Sequence, residues 1–307
     1  MDAATSDRSP AAGGPSVPSL STVRALLEDP RGRAELYYHS FVFPDHKVLY
    51  QETPKAACSS IKVGLLALLH RTLEDLGASQ RPRKFPEAVV HDREVYPALS
   101  LADLDETQLA DAITGPNWLR FCVVRDPFSR LYSAWEDKVF LGDPWLLDRF
   151  QVLGAHDHVV DGPLDLRATF SAFTEDLALR REIYFEDMHF RPQVGVVHLD
   201  AVPFTDIVLL PELNDFLTKL RRHVGRLDSS IDIALPRVNE GLGFSWRRCY
   251  SQRAVELVAE VYADDMARFG FAPPQLHDEP LLLDPAARAL LTRGRALVRQ
   301  VAASLNR

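Results

Sequence analysis

The stretch that most constrains this chain is Leu119 to Val124, an almost wholly apolar run that passes directly into Arg125-Asp126-Pro127. A run that short and that apolar reads as a strand buried on both faces. Asp126 is a natural helix N-cap and Pro127 fits the first helical position, so a helix is predicted from there through about Val139. The same succession is predicted earlier. A first strand at Val48 to Gln51 breaks at Thr53-Pro54, and a helix follows from about Ser59 with Ile61, Leu65, Leu68, Leu69, Leu73 and Leu76 on one stripe. Further strands are expected at Ala88 to Val90 and Asp206 to Leu210, and helices near Pro211 to Val224 and Ser251 to Phe269. Strands alternating with helices give an α/β fold, a central parallel sheet flanked by helices.

The 307 residues, 46% hydrophobic and 25% charged, exclude a disordered chain and a collagen-like repeat. Residues 21–275 read as one domain. Residues 1 to about 20 carry Pro10, Gly13, Gly14, Pro15 and Pro18 and read as a flexible tail. Residues 276–307 read as a C-terminal extension with an amphipathic helix over Asp284 to Leu305. Leu290, Leu291, Leu297, Val298 and Val301 share one face of it, largely opposite Arg288, Arg293, Arg295 and Arg299. Such a helix either packs on its own domain or makes peripheral contact with an anionic membrane or a partner.

The net charge of −8, from 35 Lys+Arg against 43 Asp+Glu, disfavours a nucleic-acid partner but leaves room for a local basic pocket. Cys58, Cys122 and Cys249 are too few and too far apart for a disulfide framework or a zinc site. No segment reaches the roughly 18 apolar residues of a membrane-spanning helix. Met1 to Ser21 lacks the cationic start and apolar block of a secretory signal. The expectation from these absences is a cytoplasmic protein.

Two segments carry chemistry. Thr53 to Ser60 joins a strand to a helix, where outward N–H groups and the helix dipole favour an anion. Ala56 and Ala57 are small enough for close approach, Ser59 and Ser60 offer hydroxyls, Cys58 lies between them, and Lys55 adds a charge. The segment is not a Walker loop, because it has no glycine and its lysine comes first. Read alone, it is equally an ordinary turn with a capping serine. In the second segment, Arg125 follows a buried strand, at the edge where α/β sheets bind ligands, and its guanidinium suits phosphate oxygens. Ser133 lies two turns into the following helix. The plain alternative is an Arg125 paired with a carboxylate and an exposed serine.

Taken together, the two segments resemble the sulfotransferase family. Pro54-Lys55 to Ser59-Ser60 resembles its 5′-phosphosulfate loop, and Arg125-Asp126-Pro127-Phe128-Ser129-Arg130-Leu131-Tyr132-Ser133-Ala134-Trp135 resembles the 3′-phosphate loop of carbohydrate members that include the chondroitin 4-O-sulfotransferases. His189-Phe190-Arg191-Pro192-Gln193 and Val261-Tyr262 to Phe269-Gly270-Phe271 resemble two later family stretches. Animal members carry a membrane anchor and Golgi signal, which are not found in this sequence.

The resemblance implies a P-loop-like phosphate loop, the donor 3′-phosphoadenosine 5′-phosphosulfate, and transfer of its sulfuryl group to a hydroxyl of a carbohydrate or glycosylated small molecule. It implies no metal. Lys55 would stabilise the leaving oxygen. Residues Lys55, Ala56, Ala57, Cys58, Ser59 and Ser60 would hold the 5′ end, and Arg125 and Ser133 the 3′-phosphate. His91 and His189 compete for the role of acceptor base, with Glu186 and Asp187 in reserve. Arg191 would position the acceptor or pair with Glu186 or Asp187. Arg237, Asn239, Arg247 and Arg248 would close over the nucleotide or be solvated. A lipid or secondary-metabolite acceptor, or a non-catalytic nucleotide-binding module, are the alternatives.

Overall fold

A computed structural model describes residues 17–77, 86–142, 158–159, 161–238 and 241–293. Most of the expected tail, Asn239, and the half of the expected C-terminal helix beyond residue 293 lie outside them. Ser19 caps α1 (Leu20–Glu28) and Asp29 caps α2 (Pro30–His39), which starts on a proline. β1 (Ser40–Phe43) and β2 (Val48–Gln51) form an antiparallel pair, and α3 (Cys58–Leu65) follows the turn after β2. Next come α4 (Glu106–Thr114), β3 (Leu119–Val124) and α5 (Pro127–Ala134), which runs on as a π-helical turn over Trp135–Phe140. The chain continues through β4 (Leu164–Asp165), α6 (Leu166–Leu179), α7 (Arg181–Tyr184), α8 (Gln193–Val196) and β5 (Asp206–Leu209). It then forms α9 (Leu213–Gly225), α10 (Gln252–Val261), α11 (Ala263–Phe269) and β6 (Leu282–Leu283).

The main sheet has the order β1-β2-β3-β5, parallel from β2 to β5 with β1 antiparallel at one edge. Alternate side chains serve opposite layers. Phe41, Tyr50, Phe121 and Val123 pack with Ile61 and Leu65 of α3 and Phe216 and Leu220 of α9. Val42 and Leu49 face Val23, Leu36, Leu109 and Ile113 of α1, α2 and α4. A separate core joins Phe128, Leu131 and Trp135 to Phe170 and Phe173 of α6 and Val255 and Val258 of α10. The fold is thus a mixed α/β layered structure around a mostly parallel sheet.

The strand expected at Ala88 to Val90 is instead a 3-10 turn, Pro86–His91. Val89 and Val90 are buried in the same core as α3, and the edge position beside β1 is taken by Leu99, which bridges to Val42. The helix expected over Ser251 to Phe269 breaks at Tyr262 into α10 and α11. Residues 285–293 are helical, and the Asp284 carboxylate accepts from the Ala287 N–H at 2.8 Å.

Candidate active site

The turns that follow β2 and β3 lie side by side at the carboxyl edge of the sheet. In the first, Lys55 and Ala57 have φ of 68° and 60°. This left-handed region costs a non-glycine residue about 1–2 kcal/mol. No side chain caps α3, and an uncapped helix N-terminus is a favourable setting for an anion. Ala56 is buried beneath the turn, and its N–H donates to the Thr53 carbonyl at 3.2 Å.

The second turn is satisfied from within. Asp126 accepts from the Ser129 N–H at 2.8 Å, and Pro127 has no N–H. The Ser129 hydroxyl donates to Asp126 and accepts from Arg125 Nε at 2.8 Å. Arg125 Nη1 donates to the Lys55 carbonyl at 3.1 Å. The two turns open onto one cavity of about 610 Å³, lined among others by Lys55, Ser59, Ser60, Arg125, Ser133 and Trp246. Ala57 and Cys58 also line it. Burial pushes the Cys58 thiol up to about 11, so this cysteine is a protonated packing residue.

The Lys55 ammonium is one-tenth exposed and donates to Asp137 at 2.6 Å. Burial lowers its pKa, against the attraction of Asp137. Glu136 is a second acidic neighbour. Its carboxylate accepts from the Tyr132 hydroxyl at 3.1 Å and the Leu242 N–H at 3.2 Å, and burial raises its pKa. The approach of residue 241 is so close that a Cβ there would collide with Glu136. Phe244 and Trp246 complete that wall as apolar surface.

The two histidines differ in surroundings. His189 Nδ1 lies 2.7 Å from Asp187 Oδ1, which also accepts the His189 N–H at 2.8 Å. Burial opposes the Asp187 charge, yet hydrogen bonds from His189 hold that carboxyl at about 2. Burial and the ammoniums of Lys138 and Lys55 lower the His189 pKa. Its Nε2 has no hydrogen-bond partner among the described residues. His91 has both ring nitrogens engaged, Nε2 by Ser59 Oγ at 2.8 Å and Nδ1 by the Lys62 ammonium at 2.7 Å. Glu52, Cys58 and His91 bring ligand-type atoms within 4.8 Å of one another. The buried Lys62 ammonium already supplies the cation there, donating to Glu52 at 2.8 Å.

Several residues outside the expected set brace this arrangement. Buried Arg130 donates to the carbonyls of Pro54, Arg191 and Met188 at 3.0, 2.8 and 2.9 Å, tying the lysine turn to the His189 segment. Gln193 exchanges hydrogen bonds with the Arg125 backbone at 2.9 and 2.8 Å, and Asp265 accepts from the N–H groups of Gln193 and Val194. Tyr262 donates to the Phe190 carbonyl at 2.6 Å. Arg191 pairs with Glu35 at 2.8 Å rather than with Glu186 or Asp187. Arg237 lines the cavity, whereas Arg248 donates to the Pro280 carbonyl and Arg247 lies over the Trp246 ring. The i, i+3 spacing of Ser133 and Glu136 was the available signal that this acid shares the cavity wall with the serine.

Residues 38–272 match the sulfotransferase family. A Danio rerio protein named carbohydrate sulfotransferase 10 is 30% identical over 162 residues, which is 52% of this chain and 40% of that protein. The Homo sapiens protein of the same name is 34% identical over 104 residues, 34% of this chain and 26% of its own. A Danio rerio carbohydrate sulfotransferase 11 is 31% identical over 104 residues, 34% of this chain and 27% of its own. The chain therefore spans well under half the length of these relatives. No solved structure matches it.

The similarity to carbohydrate sulfotransferases 10 and 11 contradicts the cytoplasmic expectation. Among the described residues no helix is long and apolar enough to cross a membrane. The family match runs from the end of α2 to the turn after α11 and takes in the sheet, both turns and their braces; the chain belongs to the sulfotransferase family.

Proposed function

We propose that this chain transfers a sulfuryl group from 3′-phosphoadenosine 5′-phosphosulfate to a carbohydrate hydroxyl. The observation that carries the reading is the shared cavity, with Arg125 donating to the Lys55 carbonyl at 3.1 Å and so joining the two turns that line it. In this reading the lysine turn is P-loop-like in use. Ser59, Ser60 and the uncapped N–H groups of α3 hold the 5′-phosphosulfate. Arg125 and Ser133 hold the 3′-phosphate, and Trp246 offers a face to the adenine. The proposed catalytic unit is 21–275, with 276–307 as an extension.

The acceptor oxygen forms a bond to sulfur while the bond from sulfur to the 5′-phosphate oxygen breaks. The acceptor proton passes to Nε2 of His189, whose Nδ1–H is held by Asp187. Charge developing on the leaving oxygen is met by Lys55, which exchanges Asp137 for the donor. Burial of these groups strengthens each interaction relative to water.

Calorimetry with 3′-phosphoadenosine 5′-phosphate tests the donor site. The expected result is one site per chain in the wild type and weaker binding in Lys55→Ala and Arg125→Ala. Absence of wild-type binding contradicts the reading. Sulfation of a panel of glycans, lipids and small metabolites then tests the acceptor class.

A further inference from the structure

We propose that His91 is a positioning residue: its Nε2–H donates to Ser59 Oγ and so turns the serine hydroxyl hydrogen toward the donor. The inference rests on the donor reading above, and it follows from counting donors. An ammonium has three donors and no acceptor. With the Lys62 Nζ 2.7 Å from Nδ1, that nitrogen must present its lone pair. The neutral ring then carries its hydrogen on Nε2, 2.8 Å from Ser59 Oγ. Ser59 accepts that bond, so its own hydrogen is left over, and Ser59 lines the cavity.

The lysine that dictates the tautomer is itself fixed. Lys62 is 1% exposed and donates to Glu52, 5% exposed, at 2.8 Å; the other Glu52 oxygen lies 3.4 Å from His39 Nδ1. The groups that face His91 are Lys62 and Ser59 of α3, Cys58 at its start, Glu52 after β2, and His189. Burial and the Lys62 charge push the His91 imidazole down to about 4, which keeps the ring neutral. A ring with both nitrogens so committed has no free lone pair for an acceptor proton, whereas Nε2 of His189 has one.

The test pairs imidazole ¹⁵N NMR of the full chain with donor binding and turnover. At pH 7 the His91 signal, assigned in the wild type by through-bond connectivity to its own backbone, is expected in the neutral Nε2–H pattern. An Nδ1–H or imidazolium pattern overturns the proposal even if no His91 variant folds. His91→Phe, which cannot donate, is expected to weaken 3′-phosphoadenosine 5′-phosphate about tenfold. His91→Gln, which keeps an N–H donor, is expected to recover most of that affinity. In both, the loss falls on donor affinity more than on kcat. A hundredfold fall in kcat with donor affinity intact would make His91 the base, and unaltered affinity in His91→Phe would make it merely structural. Either result overturns the positioning role. Failure of the wild type to bind the probe overturns instead the donor reading beneath it.

Discussion

The two turns at the sheet edge solve the same local problem in opposite ways. Each follows a buried parallel strand and opens a helix. The arginine turn closes its own helix terminus with Asp126, Pro127 and Ser129 and offers side chains to the cavity. The lysine turn leaves its terminus uncapped and holds Lys55 and Ala57 in left-handed conformations. One turn is capped from within, and the other has no side-chain cap at the start of its helix. Strain and missing caps of this kind cluster where function requires them.

The largest expected effect is at the uncapped turn. Lys55→Ala should lower kcat by about a thousandfold, since it removes the charge opposite the leaving oxygen; single-turnover kinetics measures it. Asp187→Asn should lower kcat about a hundredfold by releasing the His189 tautomer. The pH profile adds a sign. Only the neutral imidazole accepts a proton, and burial and Lys138 lower the His189 pKa, so activity should fall with acid only below about pH 6.5. Asp187 favours the imidazolium, and removing its charge should move that acid limb lower still. A limb above pH 6.5 contradicts the assignment.

At the satisfied turn the effect is on recognition. Arg125→Ala should reduce the preference for 3′-phosphoadenosine 5′-phosphate over adenosine 5′-phosphate about thirtyfold, the worth of a charged hydrogen bond or two. An unchanged preference would place the 3′-phosphate elsewhere. The smallest effects separate the turns by sign, read as thermal midpoints. Ala57→Gly should stabilise the protein by about 1 kcal/mol because glycine adopts this φ freely. Asp126→Ala should destabilise it by about 1 kcal/mol through loss of a cap.

Much of this was legible in the chain itself, where local chemistry decides. The strands at 48–51 and 119–124 were readable because their neighbours are a proline break and an Asp-Pro cap. The same rules named both turns. Ala88 to Val90 misled because a short apolar run is buried equally well in a 3-10 turn, and the sheet edge it would have joined is occupied by Leu99. The bracing role of Arg130 was hidden for a different reason. Its partners are carbonyls of Pro54, Met188 and Arg191, and backbone acceptors carry no sequence signature. Arg191 likewise found Glu35, 156 positions away, over the nearby acids.

The placement of the ligand tests the account most directly. A crystal structure of the chain with 3′-phosphoadenosine 5′-phosphate should find the 5′-phosphate on the first-turn N–H groups of α3 beside Lys55, and the 3′-phosphate on the Arg125 guanidinium and Ser133 hydroxyl. A nucleotide bound with either phosphate away from these groups would contradict it.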